Sequence, residues 1–147
     1  ITAVAPKASF LNAQEPYTVK VTASSGLTGT LGDAIIVDND PTWSTSAGSL
    51  GSKEIGDTGT HFTVSASDPD GDTIAYTVQS GSLPTGTSLN SSTGVISGTI
   101  GGSASTFSFT IRATANSKTS DRAFTITTTV PTNYFGDGSD GALDTTP

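Results

Sequence analysis

The chain has 147 residues, 33% of them hydrophobic, a formal charge of −7, and neither cysteine nor methionine. That apolar content suffices for one sandwich-sized core and not two, and the absence of thiols excludes disulfides, thiolate metal sites and cysteine nucleophiles. Six Lys and Arg against 13 Asp and Glu leave no basic footprint for a nucleic acid or an anionic membrane surface, so neither is expected as a partner.

No apolar run approaches the ~20 residues needed to span a bilayer. The chain starts at Ile1 rather than Met, and is expected to be a processed product or an excerpt of a longer protein. No stretch sustains a 3.6-residue apolar period, whereas Thr and Ser are abundant and suit exposed strand faces. The expected fold class is therefore all-β.

In chain order, Tyr17, Val19 and Val21 alternate with Thr18, Lys20 and Thr22, and a Ser25-Gly26 turn leads to a second apolar run from Leu31 to Val37. This predicts a β-hairpin, too small to be an independent sandwich. The acidic stretch Asp38-Asn39-Asp40-Pro41 follows as a linker.

Strict alternation then recurs. Phe62, Val64 and Ala66 form one apolar row, and Ile74, Tyr76 and Val78 a second. Phe107, Phe109, Ile111 and Ala113 form a third, and Phe124, Ile126 and Val130 a fourth. A period of two with one hydroxyl-rich face describes sheets that face a core on one side and water on the other. Turn signals separate the rows: Asp68-Pro69-Asp70-Gly71-Asp72, Ser80 to Pro84, Thr93-Gly94, and Asn116 to Ser120. Short strands at this spacing predict a sandwich. For the last hairpin, the expected register pairs Ala113 with Phe124, Ile111 with Ile126 and Phe109 with Thr128. A slip of one residue would drive Arg112 into the core. From Asn133 to Pro147 the chain turns to Gly, Asp and Ser.

Residues 41–130 resemble the "putative Ig" family of cadherin-like modules, found repeated in bacterial surface proteins and phage structural proteins. The resemblance is carried by Phe62-Thr-Val-Ser-Ala-Ser-Asp-Pro-Asp-Gly-Asp72, Ile74-Ala-Tyr76, Ser80-Gly-Ser-Leu-Pro84, Ser88-Leu-Asn90 and Ser92-Thr-Gly-Val-Ile-Ser-Gly-Thr99. Thr87 stands where the family usually places an apolar residue. Residues 16–38 look like the second half of an IPT/TIG immunoglobulin-like domain. The phrase Asn133-Tyr-Phe-Gly-Asp-Gly-Ser-Asp-Gly141 is similar to segments of tailed-phage virion proteins. The resemblances imply three parts: a partial IPT/TIG-like β segment at 1–40, an Ig/cadherin-like β-sandwich at 41–130, and a linker or the start of another module at 131–147.

Several residues are candidates for chemistry. Asp68, Asp70 and Asp72 place three carboxylates within five residues, and calcium takes six to eight hard oxygen ligands. Asp38 and Asp40 look like a cadherin inter-module linker. In Ig strand order they would share one end of the sandwich with the Asp68 loop, and further acidic ligands would come from the preceding segment, with Glu15 the main candidate outside the hairpin's own Asp33. The competing reading of the loop is an Asx turn whose carboxylates accept local backbone N–H bonds. No cofactor is required, and calcium is the sole candidate.

His61 is the single histidine and is expected as an exposed residue at a strand start. No G-x-S-x-G elbow is present, and Glu occurs only at Glu15 and Glu54, so catalysis is not expected. Trp43 is either a sugar-stacking platform or a plug at the end of the core.

The expected function is thus a non-enzymatic structural and assembly module of a bacteriophage virion (tail, fibre or capsid appendage), at the virion surface or extracellular. Its partners would be copies of itself and other virion proteins, meeting through edge strands or the hairpin. The alternative is a bacterial adhesin or carbohydrate-binding module contacting a host-surface glycan.

Overall fold

Most of the alternating rows become strands in the computed structural model, which describes residues 17–35 and 38–132. Eleven strands are described: β1 Tyr17–Thr22, β2 Thr28–Ile35, β3 Thr42–Trp43, β4 Gly48–Glu54, β5 Thr58–Thr63, β6 Ala66–Ser67, β7 Ile74–Gly81, β8 Thr87–Leu89, β9 Val95–Thr99, β10 Ser105–Ala115 and β11 Lys118–Thr129.

β1 and β2 form a two-stranded antiparallel sheet closed by a turn with Gly26 at φ 83°. Only glycine adopts that conformation without strain. The sandwich follows. One layer has strand order β4-β11-β10-β7; the other comprises β5-β9-β8 with the short β3-β6 pair. Between Trp43 and Gly48 the chain crosses from β6 in one layer to β11 in the other, and β4 pairs with β11 in parallel. β5 and β6 are interrupted at Val64 and Ser65, where the Val64 N–H donates to the Gly94 carbonyl at 3.0 Å.

The core lies between the layers. Val64 and Ile96 from one side meet Ile111, Phe124 and Ile126 from the other, all within 1% of complete burial. Removing each such side chain from water contributes on the order of 1.5–3 kcal/mol. Thr128 shares this interior, and its hydroxyl is satisfied there. It accepts from the Ser105 N–H at 3.1 Å and donates between the carbonyls of Ser103 and Ser105 at 3.2 and 3.3 Å.

The β10–β11 register differs from the expectation while keeping its parity. Phe109 faces Phe124, Ile111 faces Arg122 and Ala113 faces Ser120. The turn is Asn116-Ser117 alone, with Asn116 at φ 49°, and pairing begins directly at Ala115 and Lys118. Asn tolerates the left-handed region, so no longer loop is needed. Arg112 faces out, as expected, and meets Asp121 opposite, with its Nε 2.7 Å from one carboxylate oxygen and its Nη2 2.8 Å from the other.

Two further expectations change. Val130 lies beyond the end of β11 and is 65% exposed, because the core row continues through Thr128 instead. Val78 keeps its core-side position opposite Ile111, yet it is 38% exposed where β7 forms an edge next to a register shift. The glycine-containing strand β4 lacks an alternating apolar signal, and the sequence reading expects no strand there. Thr87, the family's apolar position, is accommodated by donating its hydroxyl to the Pro84 carbonyl at 2.7 Å.

Two substitutions test this architecture by urea unfolding. Ile126→Ala should lose about 3 kcal/mol. Gly81→Ala should lose about 2 kcal/mol, since Gly81 sits at φ 74° and a Cβ would overlap the Ser108 carbonyl. A loss below ~1 kcal/mol for Ile126→Ala would mean the interior is not the close-packed core described.

Candidate functional site

The acidic residues singled out in the sequence do gather at one end. Asp68 begins a tight turn in which its Oδ1 accepts from the N–H groups of Asp70 at 2.9 Å and Asp72 at 3.4 Å. The turn closes with the Gly71 N–H donating to the Asp68 carbonyl at 3.2 Å. Asn39 of the linker reaches this turn: its backbone N–H donates to Asp70 Oδ2 at 2.7 Å and its side-chain amide to Oδ1 at 3.2 Å. Ser117, in the β10–β11 turn, donates to Asp38 Oδ2 at 3.0 Å. Linker, β6–β7 loop and β10–β11 turn are thereby tied together, while Asp40 lies exposed beside them.

Much of the carboxylate capacity is used in Asx-type turns, as the competing reading held. Two buried oxygens, Asp38 Oδ1 and Asp68 Oδ2, have no hydrogen-bond partner. A carboxylate oxygen removed from water without a partner is costly, and a cation or a water would satisfy it. The fit to calcium is partial: among the described residues no group of three or more His, Asp or Glu side chains is placed to hold a metal ion. Glu15 lies outside the described residues.

Trp43 is the core plug. It is 8% exposed, its indole N–H donates to the Ser120 carbonyl at 3.2 Å, and its ring stands edge-on to Phe124 with centroids 5.6 Å apart. It also packs against Tyr76 at 5.9 Å, and Tyr76 is itself buried with its hydroxyl bonded at Ala66. Neither ring offers a face for sugar stacking.

Arg122 was not singled out in the sequence. It lies on the core side, opposite Ile111, and its guanidinium emerges at the rim to stand 5.9 Å over the Trp43 ring and donate to the Thr45 carbonyl at 2.6 Å. The signal was the parity of β11, which puts position 122 on the same face as Phe124. His61 is half-buried within β5 rather than exposed at a strand start, and its Nε2–H donates to the Gly98 carbonyl at 3.0 Å. A bond to an acceptor-only carbonyl commits that nitrogen as a donor, so it is not poised as a base.

The hairpin exposes Val21, Leu27 and Leu31 at 48, 75 and 66%. A shallow trough of about 420 Å³ crosses the outer face of the β4-β11-β10-β7 sheet, over Ala47, Gly48, Ser108, Thr110, Ala123 and Thr125.

The fold has solved relatives. A protocadherin gammaB7 EC3-6 structure, described as a cis-dimer, is 22% identical with a TM-score of 0.55, covering 70% of this chain and 28% of that one. Drosophila N-cadherin EC1-3 is 12% identical with a TM-score of 0.55, covering 64% of this chain and 35% of that one. An endo-fucoidan hydrolase of glycoside hydrolase family 107 is 20% identical with a TM-score of 0.50, covering 62% of this chain and 14% of that one. Among these relatives the chain spans about a third of the other's length or less, and the likeness is one of fold. No curated protein matches it in sequence.

The model of the "putative Ig domain" family matches residues 41–131. That span is the whole two-layer sandwich from β3 to the end of β11, so the chain belongs to that family of Ig/cadherin-like β-sandwich modules.

Proposed function

We propose that this chain is a non-enzymatic structural module that assembles with copies of itself on the outside of a particle, specifically in the tail, fibre or capsid appendage of a bacteriophage. The observation that carries the assembly reading is the hairpin. A two-stranded sheet is marginal by itself in water, yet this one leaves Val21, Leu27 and Leu31 largely exposed. Large apolar side chains grouped in this way mark an interaction surface.

The non-enzymatic reading is supported by how the candidate groups are used. Trp43 and Tyr76 belong to the core, and His61 is held by a backbone carbonyl. The phage assignment draws on the likeness of residues 133–141 to virion segments and on the low charge and hydroxyl-rich strand faces. The adhesin or carbohydrate-binding alternative loses the stacking platform it needed at Trp43. Self-association has a parallel in the protocadherin relative described as a cis-dimer.

Sedimentation of the full chain should reveal oligomers at micromolar concentration. The double variant Leu27→Ser, Leu31→Ser should sediment as a monomer with an unchanged melting temperature, since neither side chain is buried. A wild-type chain that stays monomeric at every concentration would remove the assembly reading. Electron microscopy of the native particle, with the module labelled, should place it on a tail or fibre surface.

A second reading, calcium at the linker end, is favoured by the two unpartnered oxygens Asp38 Oδ1 and Asp68 Oδ2. An ion there would take these two, with water and the preceding segment completing the six to eight ligands. It would stiffen the junction between the hairpin segment and the sandwich. The melting temperature should rise with millimolar calcium, return with chelator, and respond to neither in Asp68→Asn. An identical melt with and without calcium would leave the Asx turn as the whole explanation of this end.

A further inference from the structure

The chain enters and leaves the sandwich at opposite ends, and its terminal strands lie along the line between them. At the entry, Asp38 accepts from Ser117 in the β10–β11 turn and Asn39 donates to Asp70. From there the entering segment follows β11 in the same direction. The Trp43 indole N–H donates to the Ser120 carbonyl, and Arg122 donates to the Thr45 carbonyl. The parallel β4–β11 ladder then runs from Gly48–Phe124 to Glu54–Thr129, and the Ile55 N–H donates to the Thr129 carbonyl at 2.9 Å. The 12 residues of β11, at about 3.3 Å each, set entry and exit roughly 40 Å apart.

Tension along the chain therefore draws β3 and β4 toward the linker end and β11 toward the far end. Because β4 and β11 are parallel, these pulls act in opposite senses along one axis. The ladder is loaded in shear, so its hydrogen bonds share the force. The buried Trp43 ring resists the same displacement, since it would have to be dragged from the core.

The hairpin is loaded differently. Its two ends are neighbours, Tyr17 pairing with Ile35, and its turn at Gly26 lies at the other end. Tension pulls Tyr17 and Ile35 apart across the ladder, so each pair in turn carries the whole load. The register shift between Tyr17 and Val19 sits at the loaded end, where it separates the first pair from the rest. Burial does little to hold the ribbon, because Val21, Leu27 and Leu31 are exposed, and a two-stranded sheet is marginal by itself.

We propose that hairpin and sandwich are two mechanical elements in series: under tension the hairpin unzips first and lengthens the chain, while the sandwich, held in shear along β4–β11, keeps its fold. Opening turns the paired residues Tyr17 and Ile35 into the ends of an extended segment, a gain of roughly 55 Å. The link can thus yield without loss of the module. The inference goes beyond the assembly reading and does not depend on it, because the load path lies within one chain.

The test is single-molecule stretching of the full chain. The protein lacks cysteine, so Ile1→Cys and Pro147→Cys supply two unique attachment points. The expected record has an early event that adds roughly 55 Å of contour length. A larger event from the sandwich follows at clearly higher force. Lys20→Pro combined with Val21→Pro should delete the early event and leave the later force unchanged. Successive N–H groups of a strand point to opposite edges, so one of the two prolines must remove a bond to β2. Moving the first attachment to Glu54→Cys, at an exposed position ending β4, loads the same β4–β11 ladder as a zipper from its Glu54–Thr129 end. The rupture force should then fall severalfold at an unchanged melting temperature.

A single event releasing the full length overturns the series arrangement, and so does a sandwich that yields before the hairpin. An early event that survives both prolines arises outside the hairpin and overturns its role. An unchanged rupture force on attachment at residue 54 overturns the shear path. None of these outcomes touches the assembly reading, which sedimentation tests separately.

Discussion

The β10–β11 ladder is the constraint on which the sandwich depends. Eleven paired positions, started by a two-residue turn at Asn116-Ser117, set Phe109 against Phe124 and place Phe107, Ile126 and Thr128 on the same face. β7 then joins along β10 and β4 along β11. The interior closes when Val64 and Ile96 of the facing layer meet Ile111 and Phe124. Because side chains alternate with a period of two, moving β10 by one residue against β11 would put Arg112 inside and Phe109 in water. The apolar face cannot tolerate that, so the register is strongly specified.

The same ladder explains why an arginine can stand on the core side. Arg122 opposes Ile111, near the end of the sheet where Trp43 forms the rim. Its aliphatic stem can follow the apolar surface while the guanidinium reaches the Thr45 carbonyl, so the charge is never left unpaired. Arg112 and Asp121, directly opposed on the exposed face, hold each other in place. The hydrogen bond to Arg112 holds the Asp121 carboxyl below its usual range, so what the pair adds to stability is lost as pH falls through that lowered value. Both groups are well solvated, and the pair adds orientation more than stability.

The chemistry of the surface follows from where polarity has been spent. Candidate catalytic and sugar-binding groups are occupied by structural work: indole to carbonyl, imidazole to carbonyl, phenol to backbone. Asp38, Asp68 and Asp70 lie at the end that meets the preceding segment, where they accept turn hydrogen bonds and tie the linker to the sandwich. Among the described residues, large apolar side chains are exposed on the hairpin at Val21, Leu27 and Leu31.

The all-β class, the alternating core rows, the Gly26 turn and the outward placement of Arg112 were legible in the sequence, because a period-two pattern with one apolar face admits one inside and one outside. The acidic linker and the Asp68 loop were legible as a pair for a similar reason, since strand order puts both at one end. The ladder offset was not legible: parity constrains it to steps of two, and choosing among those requires the conformation of Asn116. The core-side seat of Arg122 followed from the parity of β11, whereas strand β4 and the half-burial of His61 depend on neighbours distant in sequence. Local pattern thus fixed which face of each strand turns inward. Only the packing of four strands side by side decided which residues oppose one another.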